Sequence, residues 1–325
     1  MTTYSSHDER VLLDIRRTII IAIASDEVLM ERLVLKGGNA LDIVYQLSER
    51  SSLDIDFSMA DDVSGEAELQ DMRARMFHAL RERFDALGYH VFAEALVERP
   101  RPRPGEREGA GITVWGGYNA QFKLISKTAD ITLRQDLVAR LRKKGENRPP
   151  TEAELLESRS RQAQVTGAGS ERVFTIEISK FEYTTGKVLR TLDAFDCYVY
   201  TPAMIAAEKL RAICQQLPAY TERKNPTPRP RDFFDIHAIA VGADCDLAAS
   251  EHHDLIRHMF VTKRVPLELL DVIGGPEVRA FHGQQWIAVT NAVRRPTEAF
   301  DVYFDFVVRL ARRVRTAMLD ADAIP

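Results

Sequence analysis

Two short stretches decide the reading of this chain: Leu35-Lys36-Gly37-Gly38-Asn39-Ala40-Leu41 and Leu53-Asp54-Ile55-Asp56-Phe57. The first reads as a strand over 32–36 that a glycine pair breaks. A helix over 39–48 follows, with Leu41, Val44 and Leu47 on one side. The second stretch alternates apolar and acidic residues. In a strand, Leu53, Ile55 and Phe57 then share one face and Asp54 and Asp56 the other, with the aspartate Cα atoms ~6.6 Å apart at ~3.3 Å rise per residue. Two carboxylates at that spacing can jointly hold a hard divalent cation. Without a cation or a base they repel, and one pKa rises.

A bare Asp-x-Asp also fits an exposed edge strand with an acidic outer face, so its neighbours decide. A helix that starts at a glycine turn offers free backbone amides and no side chains in the way, which suits a phosphate. The Gly-x-x-x-x-Gly-Lys-[Ser/Thr] spacing of a P-loop is absent. Strand, glycine turn, helix and diacidic strand together point to a metal-bound nucleotide phosphate. A two-metal arrangement needs a third carboxylate. Glu177, in Thr175-Ile176-Glu177-Ile178-Ser179, is the best candidate because Ile176 and Ile178 face the core and Glu177 faces away. Asp130 is a weaker one, at the start of a charged insertion.

Outward from these motifs, residues 10–31 read as one amphipathic helix and 66–87 as another, stopped by Gly88. Further strands are expected at 89–97, 111–116, 118–126 and 172–181, with a proline- and arginine-rich loop at 99–107. A charged helical insertion occupies about 127–170. From 201 onward the pattern is helical. The expected organisation is therefore a mixed α/β domain over 1–200 followed by a helical domain over 201–325.

Composition bounds the function. The 325 residues carry 44 Lys and Arg against 48 Asp and Glu, a net charge of −4, which excludes a generic basic coat for nucleic acid but not local basic patches. Three separated cysteines, Cys197, Cys214 and Cys245, exclude a disulfide scaffold and a cysteine-rich zinc site. The longest strongly apolar run, 19–24, is far short of the ~20 residues of a membrane helix, and the first ten residues lack a basic secretory region. A cytoplasmic protein with no membrane partner is expected.

With these stretches in view, the chain resembles the nucleotidyltransferase toxins of the AbiEii/AbiGii type, from bacterial toxin–antitoxin and abortive-infection systems. The matching blocks are Leu35 through Leu41 as quoted, Arg50-Ser51-Ser52-Leu53-Asp54-Ile55-Asp56-Phe57, Thr175-Ile176-Glu177-Ile178-Ser179, Ala207-Glu208-Lys209-Leu210-Arg211-Ala212, and Arg231-Asp232-Phe233-Phe234-Asp235-Ile236. The resemblance implies a polymerase-β-like nucleotidyltransferase core with a helical C-terminal domain. It makes Asp54 and Asp56 metal ligands with Glu177 as the third carboxylate, Lys209 a triphosphate contact and Asp232 a further active-site acid. Gly38-Asn39 stands where the family has Gly-Ser, so a hydroxyl contact is replaced by an amide.

The second half supports these roles by its own pattern. Lys209 lies off the apolar stripe Ala206, Leu210 and Ile213, where an ammonium can meet phosphate oxygens, although a surface lysine has the same pattern. Asp232 follows Pro230 and also suits a helix N-terminus. Asp235, one turn later, is expected to hold that helix through an ion pair. Basic clusters occur at Arg223, Lys224, Arg229 and Arg231, at Arg140, Arg142, Lys143, Lys144 and Arg148, and at Arg309, Arg312, Arg313 and Arg315; such loops can hold an RNA backbone without reading its sequence. His252, His253 and His258 lack a ligand set, and the stripe Phe300, Tyr303, Phe304, Val307 and Leu310 reads as core.

The expected function is a Mg²⁺-dependent (or Mn²⁺-dependent) nucleotidyltransferase. Gly37, Gly38, Asn39 and Lys209 hold the NTP, and NMP is transferred to an RNA acceptor, tRNA 3′ ends above all, with an antitoxin as cognate partner. A protein or small-molecule acceptor is the alternative, and a non-catalytic RNA- or partner-binding module on the same fold is another.

Overall fold

The apolar side of the diacidic stretch is what the chain folds around. The computed structural model describes residues 6–322 except 49, 51, 53, 101–114, 167–169, 224 and 295. Its strands are β1 (Val34–Lys36), β2 (Ile55–Ser58), β3 (Tyr89–Arg99), β4 (Gly117–Ser126), β5 (Phe174–Ser179), β6 (Val188–Leu192) and β7 (Phe195–Val199). They form one seven-stranded mixed sheet in the order β3-β4-β5-β2-β1-β7-β6. β2 pairs antiparallel with β1 and parallel with β5. Leu35, Ile55, Phe57, Ile176 and Ile178 share one face and are at most 2% exposed. They join Ile15, Ile19 and Ile23 of helix α1 (Ser6–Ala24) in the apolar core. Each such side chain contributes about 1.5–3 kcal/mol by leaving water. A one-residue slip of β2, which would turn Asp56 inward, is therefore strongly disfavoured.

Several expectations shift at their edges. The helix expected over 10–31 is two, because Asp26 accepts a hydrogen bond from the Leu29 N–H at 3.0 Å and starts α2 (Glu27–Arg32), the capping role aspartate favours. The strand after it is consequently shortened to Val34–Lys36. The next helical turn, α3 (Gly37–Asn39), begins two residues earlier than expected and continues as a wider π-type turn over Ala40–Val44. Helix α4 (Glu66–Ala86) ends before Gly88, as read. The charged insertion forms α5 (Lys127–Lys143) and α6 (Glu152–Gln162). Of the strand expected at 111–116 and the loop at 99–107, residues 101–114 lie outside the described residues, and Trp115 and Gly116 precede β4 without joining it.

The β6–β7 hairpin was not foreseen from the pattern. Leu189, Arg190 and Thr191 are exposed, so no alternation marks the edge strand. The turn uses Asp193 and Ala194 at φ 48° and 67° instead of the Asn-Gly type of pair that signals a hairpin. After Val199 every described element is helical: α7 (Pro202–Cys214), α8 (Pro230–Gly242), α9 (His253–Thr262), α10 (Pro276–Gly283), α11 (Trp286–Thr290) and α12 (Phe300–Asp322), with two short 3₁₀ turns. The aromatic stripe of α12 is core: Phe233 of α8 lies 5.3 and 5.5 Å from the rings of Phe300 and Phe304. No described helix is long and apolar enough to cross a membrane.

Candidate active site

Opposite the apolar face, Lys36, Asp56, Glu177 and Asn119 are successive cross-strand partners on β1, β2, β5 and β4. Their side chains therefore share the other face of the sheet. That face opens on a cavity of about 680 Å³ whose far wall is built from α7 and α8. The glycine pair sets the cavity's shape. Gly37 has φ +68°, and a Cβ on it would overlap the Asp56 carboxylate. A Cβ on Gly38 would lie 2.9 Å from Arg50 Nη2 and 3.0 Å from Ser52 Cβ. Only glycine lets the turn approach both the acidic strand and the arginine.

Most cations around the cavity are already neutralised. Lys36 Nζ lies 2.6 Å from Glu208, and Arg211 and Lys263 lie 3.1 and 3.2 Å from Glu182. Lys209 bridges Asp232 and Asp235 at 2.9 Å each, Arg50 holds Asp235 at 2.8 Å, and Arg229 pairs with Asp232. Arg231 is the exception: it is exposed, lines the cavity and has no ion pair among the described residues.

The carboxylates divide the same way. The side chains of Asp54, Asp56 and Glu177 line the cavity, and their carboxylates have no hydrogen bond or ion pair among the described residues. Asp56 is half-buried. Burial, only partly offset by Lys36 and reinforced by Glu177 and Glu208, pushes it up to about 7. Burial also raises Asp54, against Arg231 and with Glu171, and raises Glu177, with Asp54 adding repulsion. By contrast, Asp232 is held well below the usual carboxylate range, because Arg229 and Lys209 outweigh its burial.

Acceptor-only carboxylates that repel one another and lack partners are the donor set a hard divalent cation requires. Among the described residues no three His, Cys, Asp or Glu side chains are gathered into a closed cluster. Asp54, Asp56 and Glu177 thus supply the donor chemistry such an ion needs without being gathered into one three-ligand site.

The structure thus brings Asp54, Asp56 and Glu177 to one wall, although Asp54 precedes β2 instead of lying in it. Lys209 and Asp232 stand on the opposite wall, buried and paired with each other; Lys209 is no surface lysine. Asn39 departs from expectation. It is fully buried, its Nδ2 donates to the Asp54 carbonyl at 2.6 Å and its Oδ1 accepts from Arg16 at 3.0 Å, so its side chain braces the loop and does not line the cavity. Asp130 is tied to Arg134 and Arg159 at 3.0 and 2.6 Å, away from the cavity. Asp235 forms the ion pair expected of it.

Of the basic clusters, Arg148 is taken by Glu146 and Glu154, Arg315 by Asp271, and Arg313 by Asp246. Lys224 lies outside the described residues. Arg140, Arg142, Lys143 and Lys144 are exposed with no ion pair among the described residues. His258 stacks on Tyr183 at 5.1 Å between ring centroids. Reading the sequence missed Lys36, Arg50, Glu208 and Arg211 as site residues, although each sits inside a quoted block. It also missed Glu182 and Lys263, which carry no local signal.

A sheet face bearing free carboxylates thus stands against a close-packed glycine turn, across a cleft from buried ion pairs. The family model described as nucleotidyl transferase AbiEii toxin, type IV toxin–antitoxin system, matches residues 19–306, and the chain belongs to that family. No curated protein matches. A crystal structure from H. pylori, assigned as a nucleotidyltransferase, is 12% identical, with 99% of each chain covered and a TM-score of 0.38, a likeness too distant to bear on the fold.

Proposed function

We propose that the chain is a Mg²⁺-dependent nucleotidyltransferase on a polymerase-β-like core, transferring NMP from an NTP to the 3′ end of tRNA. The observation that carries this reading is the line of uncommitted carboxylates Asp54, Asp56 and Glu177 facing the glycine turn, in a member of a nucleotidyl transferase family. The cleft then separates a catalytic unit over 1–200 from a helical unit over 201–325.

Asp54, Asp56 and Glu177 would hold Mg²⁺ or Mn²⁺, which when bound neutralises triphosphate charge and acidifies the attacking hydroxyl. Gly37 and Gly38 let the triphosphate lie against the turn. Arg231 supplies a guanidinium that no carboxylate among the described residues occupies, and Lys209, oriented by Asp232 and Asp235, faces the phosphates from the far wall. The acceptor hydroxyl oxygen bonds to the α-phosphorus, the bond from that phosphorus to the α–β bridging oxygen breaks, and pyrophosphate leaves with the electron pair. The hydroxyl proton passes to the carboxylate of Asp56 or Glu177, which favour the deprotonated acceptor through the metal or as base. Blocking tRNA 3′ ends stops translation, the toxic act a cytoplasmic antitoxin restrains and phage infection releases.

The test is incubation with each α-phosphate-labelled NTP, Mg²⁺ and total tRNA. Label is expected on tRNA with the native protein and not with Asp56→Ala. Label on a protein or small molecule instead would overturn the acceptor. For Arg231→Gln, the KM for NTP should rise about tenfold, the loss of one charge-assisted hydrogen bond. Because Arg231 has no ion pair among the described residues, the melting temperature of the variant should stay unchanged. An unchanged KM removes Arg231 from the phosphate site.

A further inference from the structure

We infer that a second cavity, meeting the first at Asp54, receives the terminal nucleoside of the acceptor RNA; this rests on the nucleotidyltransferase reading and adds the acceptor's seat. The cavity measures about 400 Å³ and is lined by Asp54, Gln121, Thr166, Glu171, Arg172 and Thr175, with Val173 as its one apolar member. Gln121 and Thr175 are cross-strand partners on β4 and β5. They lie two residues along from Asn119 and Glu177, hence on the same polar face, ~6.6 Å from the carboxylate row. Asp54 stands in the same relation to Asp56 and belongs to both cavities. A two-substrate site is laid out along one sheet face, with the shared carboxylate at the junction.

The described residues of the wall opposite the strands are held by hydrogen bonds. Gln164 N–H donates to the Leu124 carbonyl at 2.8 Å, Thr166 N–H to the Glu171 carbonyl at 2.9 Å, and Arg172 to the Ala163 carbonyl. The Gln121 and Thr175 side chains have no hydrogen-bond partner among the described residues, so an amide and a hydroxyl are left to meet a ligand's donors and acceptors.

Charge selects what enters. Asp54 and Glu171 oppose Arg172 alone, a net negative lining that repels phosphate and admits an uncharged group rich in hydroxyls and ring nitrogens. The volume falls at the small end of the ~300–1,000 Å³ of ligand cavities, which suits one nucleoside. The strand's phosphates then lie outside. The insertion that contributes Thr166 also carries Arg140, Arg142, Lys143 and Lys144, exposed and without an ion pair among the described residues, to position a backbone. This favours RNA over a protein side chain.

The test is fluorescence anisotropy of a short, 5′-labelled single-stranded RNA, without nucleotide or metal, against the full chain and the variants Gln121→Trp, which fills the cavity, and Gln121→Leu, which keeps the size and removes the amide. The expected results are about tenfold weaker RNA binding for Gln121→Trp and a severalfold loss for Gln121→Leu, with Mg²⁺-dependent NTP binding within twofold of native. The same RNA bearing a 3′-phosphate should bind the native protein about tenfold less tightly, because the cavity repels the added charge. Native RNA affinity in both variants overturns the inference. So does equal binding of the 3′-phosphorylated RNA, a loss of NTP binding in the variants, or labelling of a protein acceptor that the variants abolish. If the native protein binds RNA as described but no NTP, the cavity stands as a seat for an RNA 3′ end, while its role as an acceptor seat falls with the nucleotidyltransferase reading.

Discussion

Asp56→Asn should abolish nucleotide transfer and, in the same protein, raise the melting temperature at pH 8. Both effects follow from the carboxylate's position. Loss of transfer is expected to reach about 10³-fold or more, because the variant removes a central anionic ligand from the row facing the phosphates. The stability gain has the opposite origin. Asp56 is pushed from 3.8 up to about 7 by burial, with Lys36 only partly offsetting it.

The sign follows from proton binding. Between pH 3.8 and 7 the folded chain holds a proton at Asp56 that the unfolded chain releases, so stability falls as pH rises through that window and the loss is complete above 7. A shift of this size corresponds to about 4 kcal/mol at most, and after screening by the open cleft about 2 kcal/mol. Asparagine mimics the protonated form. The variant should therefore be more stable than native at pH 8 in the presence of a chelator, less so at pH 5 and not at all near pH 4. Thermal melts across that range, beside the transfer assay, check it. A variant that is less stable at pH 8 would mean that the Asp56 carboxylate makes a stabilising contact, and the site would have to be redrawn.

The same residue shows how much of the molecule the sequence made legible. Alternation in Ile55-Asp56-Phe57 and in Ile176-Glu177-Ile178 turned Asp56 and Glu177 away from the apolar core, because a period of two leaves a strand with only two sides. The glycine pair was legible as a close approach, although what it approaches, Asp56 and Arg50, comes from tertiary packing. Lys209 and Asp232 were singled out by motif, but their surroundings were not legible. An ammonium outside an apolar stripe reads as surface when no periodicity records the helix laid over it. The Glu182–Arg211–Lys263 group was invisible because its members come from separate elements and each looks like an ordinary charge. The β6–β7 hairpin escaped because an exposed edge strand has no buried face to imprint an alternation.

The far wall makes the second strong prediction. Asp235, fully buried, is shared by Arg50 at 2.8 Å and Lys209 at 2.9 Å. It thereby fastens α8 to the segment leading into β2 and orients the lysine facing the cavity. Asp235→Ala leaves two cations in a low-dielectric setting with half their counter-charge. Breaking a buried pair from one side costs about 3–5 kcal/mol, a large part of the ~5–15 kcal/mol that holds a domain folded. The variant is expected to melt far below the native protein or to accumulate as insoluble chain. Lys209→Met is the informative comparison. It leaves Asp232 with Arg229 and Asp235 with Arg50, so its destabilisation should be the smaller of the two. If Lys209 touches the triphosphate, however, NTP binding is lost from a chain that still folds. Equal melting of Asp235→Ala and native protein would show that the Arg50–Asp235–Lys209 group does not tie the helices to the sheet. Native NTP affinity in Lys209→Met would make that lysine a strut of the far wall and leave the triphosphate to Arg231 and the glycine turn.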